Sequence, residues 1–226
     1  MMKMNRRIGK HDQGFTLIEM IGVLAVIAVL VALVLPKVFG VIGDSKVNSF
    51  AAAVRTYETA VVNYYADIGS LLPLNASGVP TAEMGGNSTT TIGLPARLML
   101  DASDPLNDGT GKWPKFHGPY LAKIDTVSSP GIGAAITMPA TSPVSYGTST
   151  STTNLGWDLN NDGKSDMATT SSVVYLSVTD VSDSDFEKID AILDAGIGTS
   201  TAVRVLRGRV KYDASTDVLL VYLAHD

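Results

Sequence analysis

One apolar segment near the amino terminus constrains this chain more than any other feature. Residues Phe15 to Leu35 form a run of 21 residues with a single charged member, Glu19. As a helix rising ~1.5 Å per residue, the run is about 31 Å long and matches a hydrocarbon core of ~30 Å. An ordinary secretory signal has a shorter apolar region, of roughly 7 to 15 residues. We therefore predict a helix that spans a membrane.

The charge of the chain is divided unevenly on either side of this run. Residues 1–14 hold four basic side chains and one acidic side chain, whereas the remaining residues hold 13 basic and 21 acidic ones. The basic leader predicts a cytoplasmic amino terminus and places residues 37–226 across the membrane. The acidic body argues against a nucleic-acid partner. Because the chain has no cysteine, it can form neither a disulfide nor a thiolate metal site.

The helical pattern continues beyond the apolar run. Pro36 lacks an N–H and clashes with the preceding turn, so it predicts the end or a kink of the membrane helix. Apolar residues then recur at steps of 3 and 4 from Val47 onward. We expect one long, hinged helix over about residues 15–68. Aromatic residues at helical spacing are usually core residues, which predicts burial of the following tyrosines: Tyr57, Tyr64 and Tyr65.

The remaining residues, 69–226, predict a globular domain with long loops. Segments 76–95 and 126–155 are rich in Ser, Thr, Gly and Pro, which is typical of loops. Val173 to Thr179 alternates as a strand, and Arg204–Tyr212 with Val218–Leu223 predicts a terminal hairpin. The fold class that we expect is α+β, with the long helix packed on an antiparallel sheet.

A short helix is predicted between the strand and the hairpin, over Asp183 to Leu193. Ser184 is the expected N-cap, because a serine hydroxyl can accept a hydrogen bond from the first turn. Glu187, three residues later, would complete a capping box.

Glu19 is the unusual residue of the membrane run. A carboxylate costs ~2.5 to 3.5 kcal/mol at the centre of a bilayer and less near a helix start, where the dipole favours an anion. Glu19 could therefore simply extend toward the interface. Alternatively, a cut between Gly14 and Phe15 would create an α-amine, with a reference pKa of ~7.7 to 8.0, one turn from Glu19. Amine and carboxylate of adjacent helices could then pair within lipid.

The segment "RRIGKHDQGFTLIEMIGVLAVIAVLVALVLP" resembles the class III signal of type IV prepilins and type II secretion pseudopilins. The resemblance rests on the basic leader, on Gly14 before Phe15, on Glu19 as the fifth mature residue and on Pro36 as the twenty-second. It implies that a prepilin peptidase cleaves after Gly14 and methylates the amine of Phe15. It also implies a pilin-like fold, with Glu19 and Pro36 serving assembly.

This resemblance divides the chain into a leader (1–14), a transmembrane assembly helix (15–36), an amphipathic half-helix (37–68) and a globular domain (69–226). The implied protein is a structural subunit of a pilus or pseudopilus, not an enzyme. Its implied partners are further copies of itself, the peptidase and an inner-membrane assembly platform. The implied location is the inner membrane, with the carboxyl-terminal domain extracytoplasmic, and a filament after assembly. The alternative is a monomeric, signal-anchored domain that binds calcium or another ligand.

A second motif, "DLNNDGKSD", has the ligand spacing of an EF-hand-like loop. Its candidate calcium ligands, at positions 1, 3, 5, 7 (a backbone carbonyl) and 9, are Asp158, Asn160, Asp162, Lys164 and Asp166. Position 12 is Thr169 rather than the bidentate Glu of a complete EF-hand. Because Asn-Asp-Gly is also a favourable turn, a metal-free loop stays open as an alternative. The order of "GPYL", Gly118 to Leu121, and an Asp-rich loop is loosely similar to major pseudopilins, whose carboxyl-terminal region can hold calcium.

Little in the sequence supports catalysis. The three histidines, His11, His117 and His225, lie far apart along the chain, and none accompanies a recognisable nucleophile motif. We expect His117 and His225 to be surface residues.

Overall fold

The computed structural model describes residues 14–72, 94–99, 116–122, 131–141, 156–168, 171–197 and 207–226. Contacts divide the chain into two compact units, one ending at Ile42 and the other beginning at Gly43. The helices and strands in chain order are α1 (Leu17–Ile68), α2 (Leu94–Met99), β1 (Ala135–Thr137), β2 (Ala140–Thr141), β3 (Val173–Thr179), α3 (Asp183–Leu193), β4 (Val210–Asp213) and β5 (Val218–His225).

Helix α1 runs without a break through Pro36. The helix therefore does not end at Pro36, since a proline removes one hydrogen bond while the bonds of neighbouring turns hold the chain helical. The apolar side chains of residues 15–42 are exposed, whereas one face of α1 beyond Gly43 is buried. That buried face has the spacing of 3 and 4 residues that the sequence predicts: Val47, Phe50, Ala51, Val54, Tyr57, Ala60, Val61 and Tyr64.

Tyr65 departs from the prediction. Tyr57 and Tyr64 are buried, as predicted, but Tyr65 is 40% exposed. Tyr64 and Tyr65 point about 100° apart around the helix, so only one of two consecutive residues can lie at the centre of the buried face.

The sheet is antiparallel throughout. Strand β3 pairs with β5 on one edge, and β5 pairs with β4 in a terminal hairpin. The other edge of β3 pairs with β1 near Thr179 and with β2 near Val173. Strand β3 has the predicted bounds, whereas β4 is shorter than predicted and begins at Val210. Residues 204–206 of the predicted strand lie outside the described residues.

Both faces of the sheet are apolar. Alternate side chains of β3, such as Val174 and Leu176, join the main core with α1 and α3. The intervening side chains, such as Val173 and Tyr175, pack in a second cluster with Trp157. Segment 156–168 supplies Trp157 and covers this second face, so the domain has three layers over this part of the sheet.

Helix α3 has the predicted bounds but a different N-cap. Ser182, not Ser184, is the cap, and its side chain accepts a hydrogen bond from the N–H of Asp185 at 3.1 Å. Val181 before the cap and Phe186 on the first turn are both buried in the main core. This arrangement is that of a hydrophobic staple, which fixes the start of the helix at Ser182.

Candidate functional site

The amino-terminal start of α1 is closed by a reciprocal pair of side chains. The N–H and the hydroxyl of Thr16 donate to Glu19 Oε2 at 2.9 and 2.8 Å, and the Glu19 N–H donates to Thr16 Oγ1 at 3.3 Å. This geometry is a capping box, in which threonine and glutamate satisfy N–H groups that a helix end leaves unpaired. Thr16 is a site residue that the sequence analysis missed, although the spacing T-x-x-E signals it.

Gly14, Phe15 and Glu19 therefore lie together at one helix end. Gly14 and Phe15 precede the first helical residue and are exposed, with Phe15 at 83%. A Cβ placed on Gly14 would meet no atom within 4 Å among the described residues. Pro36, the fourth predicted residue of this site, lies farther along the same helix.

The first part of α1 has the length and composition of a membrane span. Among the described residues, α1 is the helix that is long and apolar enough to cross a bilayer, and the apolar window has no part buried within the chain. The side chains Leu30, Val31, Val34 and Leu35 line a shallow apolar surface on one side of it. In water such a surface would be strongly unfavourable, so a lipid or protein environment must cover it.

The second predicted site, the acidic loop of residues 158–166, folds as a tight turn. Asn161 and Gly163 have φ values of 64° and 86°, in the left-handed region that Gly and Asn tolerate best. The backbone of the loop is closed by the Asp166 N–H, which donates to the Trp157 carbonyl at 2.8 Å. Position 12, Thr169, lies outside the described residues.

The loop's side-chain oxygens are bonded to its own N–H groups. Asp166 accepts from the N–H groups of Leu159 and Asn160 at 2.6 and 3.1 Å, and from the Asn160 amide at 2.8 Å. Asn160 Oδ1 accepts from the Asp162 N–H, and Asp162 Oδ1 accepts from the Lys164 N–H. Among the described residues, no group of three or more His, Asp or Glu side chains could hold a metal ion. The oxygen atoms of this loop have the right chemistry for calcium, and the calcium site stays a prediction.

A buried lysine lies beneath the loop. Lys211 of β4 projects onto the second face of the sheet, where its Nζ is 4.5 Å from the ring centroid of Trp157 and donates to the Gly156 carbonyl. Burial lowers the pKa of Lys211 to about 7. The cation–π contact and the hydrogen bond favour the charged form and oppose this effect.

Two of the histidines, His117 and His225, lie among the described residues, and each contacts a polar side chain. His117 is exposed, as predicted, and its Nδ1 lies 3.3 Å from Asp67 Oδ2. The Tyr120 hydroxyl donates to the same oxygen at 2.6 Å, and burial together with this carboxylate raises the pKa of Tyr120 to about 12. His225 is partly exposed, and its Nδ1 lies 2.7 Å from the Tyr222 hydroxyl. The contacts of Asp67 join α1 to residues 116–122, whereas the contact between Tyr222 and His225 lies within β5.

A long apolar helix that packs its second part on an antiparallel sheet defines a pilin-like α+β architecture. Residues 9–35 match the protein-family model described as the prokaryotic N-terminal methylation motif. The chain therefore carries the class III signal of type IV pilins and pseudopilins, which fits a membrane-anchored structural subunit. No curated protein and no solved structure gives a significant match.

Proposed function

We propose that this protein is a filament subunit of a type IV pilus or a type II secretion pseudopilus. The observation that carries the proposal is Glu19, an exposed carboxylate in an otherwise apolar span, beside the Gly14–Phe15 bond. A prepilin peptidase cleaves that bond and methylates Phe15. The subunit stays in the inner membrane, with its carboxyl-terminal domain outside, until an assembly platform adds it to the filament.

Assembly depends on the α-amine that cleavage creates at Phe15. After cleavage the amine of Phe15, with a reference pKa of ~7.7 to 8.0, is mostly cationic at neutral pH. A neighbouring copy then offers Glu19, and pairing neutralises both charges within lipid, where an unpaired charge is costly. The apolar surface that includes Leu30 and Val34 is covered at the same time by other helices. The alternative, a monomeric anchored domain, gives Glu19 no such role.

The experiment that tests the proposal measures processing and assembly separately in the native host. Intact mass should show a mature protein that begins at N-methyl-Phe15. Glu19→Val, which removes the carboxylate and increases apolarity, should be inserted and cleaved like the wild type but give few or no filaments in a shearing assay. Met20→Val is the matched control, because it changes the adjacent exposed position and keeps the carboxylate.

Two outcomes would reject the proposal. One is recovery of residues 1–14 on the stable protein. The other is a filament yield from Glu19→Val equal to that from Met20→Val, which would favour the monomeric anchored domain.

A further inference from the structure

Asp158 is the least exposed acidic side chain of the acidic loop. The residue is fully buried, and its carboxylate accepts from the N–H groups of Asp162 at 3.0 Å and Gly163 at 2.7 Å. Two neutral donors reduce the cost of burying a carboxylate but leave its charge. A buried charged group in a protein is usually paired with an opposite charge or coordinates a metal.

Arg207 supplies such a cation from a distant part of the sequence. Its Nε lies 3.7 Å from Asp158 Oδ2, and its Nη1 donates to Asn161 Oδ1 at 2.9 Å. A Cβ placed on Gly163 would lie 3.6 Å from Arg207 Nη2. The three guanidinium nitrogens thus each face a different residue of the loop, which the rigid, planar fork of arginine permits.

The backbone holds Arg207 in this place. The Gly208 N–H donates to the Asp158 carbonyl at 2.8 Å, so the two segments are bonded next to the ion pair. Asp194 accepts from the N–H groups of Arg209 and Val210 at 2.8 and 2.7 Å and anchors the following residues. Gly208 has a φ of 84°, and a Cβ there would collide with the Asp194 carboxylate. The guanidinium is therefore presented by a fixed backbone.

We infer that Arg207 is the resident cation of the acidic loop and performs the part that a calcium ion performs in loops of similar sequence. Calcium needs six to eight oxygen ligands facing one point. Here Asp166 and Asn160 accept hydrogen bonds from N–H groups of the loop, and Asp158 Oδ2 lies 3.7 Å from Arg207 Nε. The loop therefore holds Trp157 on the sheet without a metal, and the domain's stability does not depend on calcium.

The test follows thermal melting of the full-length protein in detergent micelles, in millimolar calcium and in chelator. The wild type should have the same Tm in both conditions. Arg207→Gln should lower Tm by about 4 to 8 °C, because it leaves a buried carboxylate without its cation. Lys164→Gln is the matched control, since it removes one positive charge from an exposed position of the same loop and should change Tm by less than about 2 °C.

A double-variant cycle separates ion pairing from general damage. Asp158→Asn keeps the shape of the side chain and removes its charge, so Arg207→Gln should lower Tm less than half as much in that background as in the wild type. If Arg207→Gln alone does not fold, a folded double variant supports the pairing. If Asp158→Asn folds but the double variant does not, the pairing of Asp158 with Arg207 is rejected.

Two further results overturn the inference. The first is a wild-type Tm that rises by several degrees in calcium, which would show a metal as the loop's cation. The second is an equal effect of Arg207→Gln with and without the Asp158 charge. Filament assembly is not measured in these experiments, so their outcome is independent of the function proposed above.

Discussion

At the scale of single residues, Lys211 shows how this domain places a charge inside an apolar cluster. Its stem crosses the second face of the sheet, and its ammonium lies over Trp157. Tyr175 and Tyr222 lie on the same face, and burial raises the pKa of both. Both tyrosines therefore stay neutral at pH values where Lys211 begins to lose its proton.

The lowered pKa of Lys211 predicts a pH-dependent stability. The unfolded lysine titrates near 10.5 and the folded one at about 7, so the unfolded chain binds more protons between these values. The contribution of Lys211 to the free energy of unfolding is therefore lowest below pH ~7 and increases as the pH rises toward ~10. The wild-type Tm should increase by about 5 °C from pH ~6.5 to ~9.

Lys211→Met, which keeps an unbranched side chain one atom shorter and removes the titrating group, should reduce the dependence of Tm on pH. Melting curves of both proteins across the same pH series make the comparison. If Tm changes with pH by the same amount in the wild type and the variant, the pH dependence of stability comes from groups other than Lys211.

At the scale of elements, the start of α3 illustrates what the sequence could and could not predict. Ser182 and Ser184 are each followed, three residues later, by an acid, so local chemistry permits either as the cap. The choice depends on Val181 and Phe186, which are both buried in the main core. Tertiary packing decided between two equivalent local signals.

The two serines offer a matched test of helix capping. Ser182→Ala removes the acceptor for the Asp185 N–H and should destabilise the domain by about 1 kcal/mol, or roughly 2 to 4 °C in Tm. Ser184→Ala deletes an exposed hydroxyl within the first turn and should stay within about 0.5 kcal/mol of the wild type. A larger loss from Ser184→Ala than from Ser182→Ala would contradict the observed cap.

Periodic and local features were predictable, and long-range partners were not. The apolar run from Phe15 gave the correct element type because it extends over many residues. The strand β3 was also predicted correctly, although its side chains are buried on both faces instead of alternating between core and solvent. No local pattern predicts the contact between Arg207 and Asp158, because the two residues are distant in sequence and are brought together by a backbone bridge. The spacing T-x-x-E of Thr16 and Glu19 is a local signal of the capping box and could have predicted it.

At the scale of the whole molecule, the described core belongs to one of the two units. The buried apolar residues begin at Val47, and the described residues before Gly43 are exposed. The unit Gly43–Asp226 thus contains every residue of the main hydrophobic cluster. Stability in water should come from that unit.

We therefore expect residues 43–226, produced without the preceding segment, to melt cooperatively at a Tm close to that of the full chain. Extending the deletion to Val54 removes four buried side chains, including Val47 and Phe50. Val47, Phe50 and Val54 each contribute up to about 1.5 to 3 kcal/mol, which together rivals a total stability of about 5 to 15 kcal/mol. The shorter protein should therefore be unfolded by circular dichroism, and a folded one would contradict this assignment of the core.

The capping box at Thr16 also bears on how readily a filament of such subunits could grow and shorten. In the isolated chain, Glu19 is not an unsatisfied group waiting for a neighbour, because Thr16 already donates to it twice. Joining a filament would add the Phe15 amine of a neighbouring copy to these donors, so the net gain in free energy is measured from a carboxylate that is already hydrogen-bonded. A small net gain in free energy would make the addition of a subunit nearly reversible. A subunit that returned from the filament to the bilayer would still have the hydrogen bonds between Thr16 and Glu19.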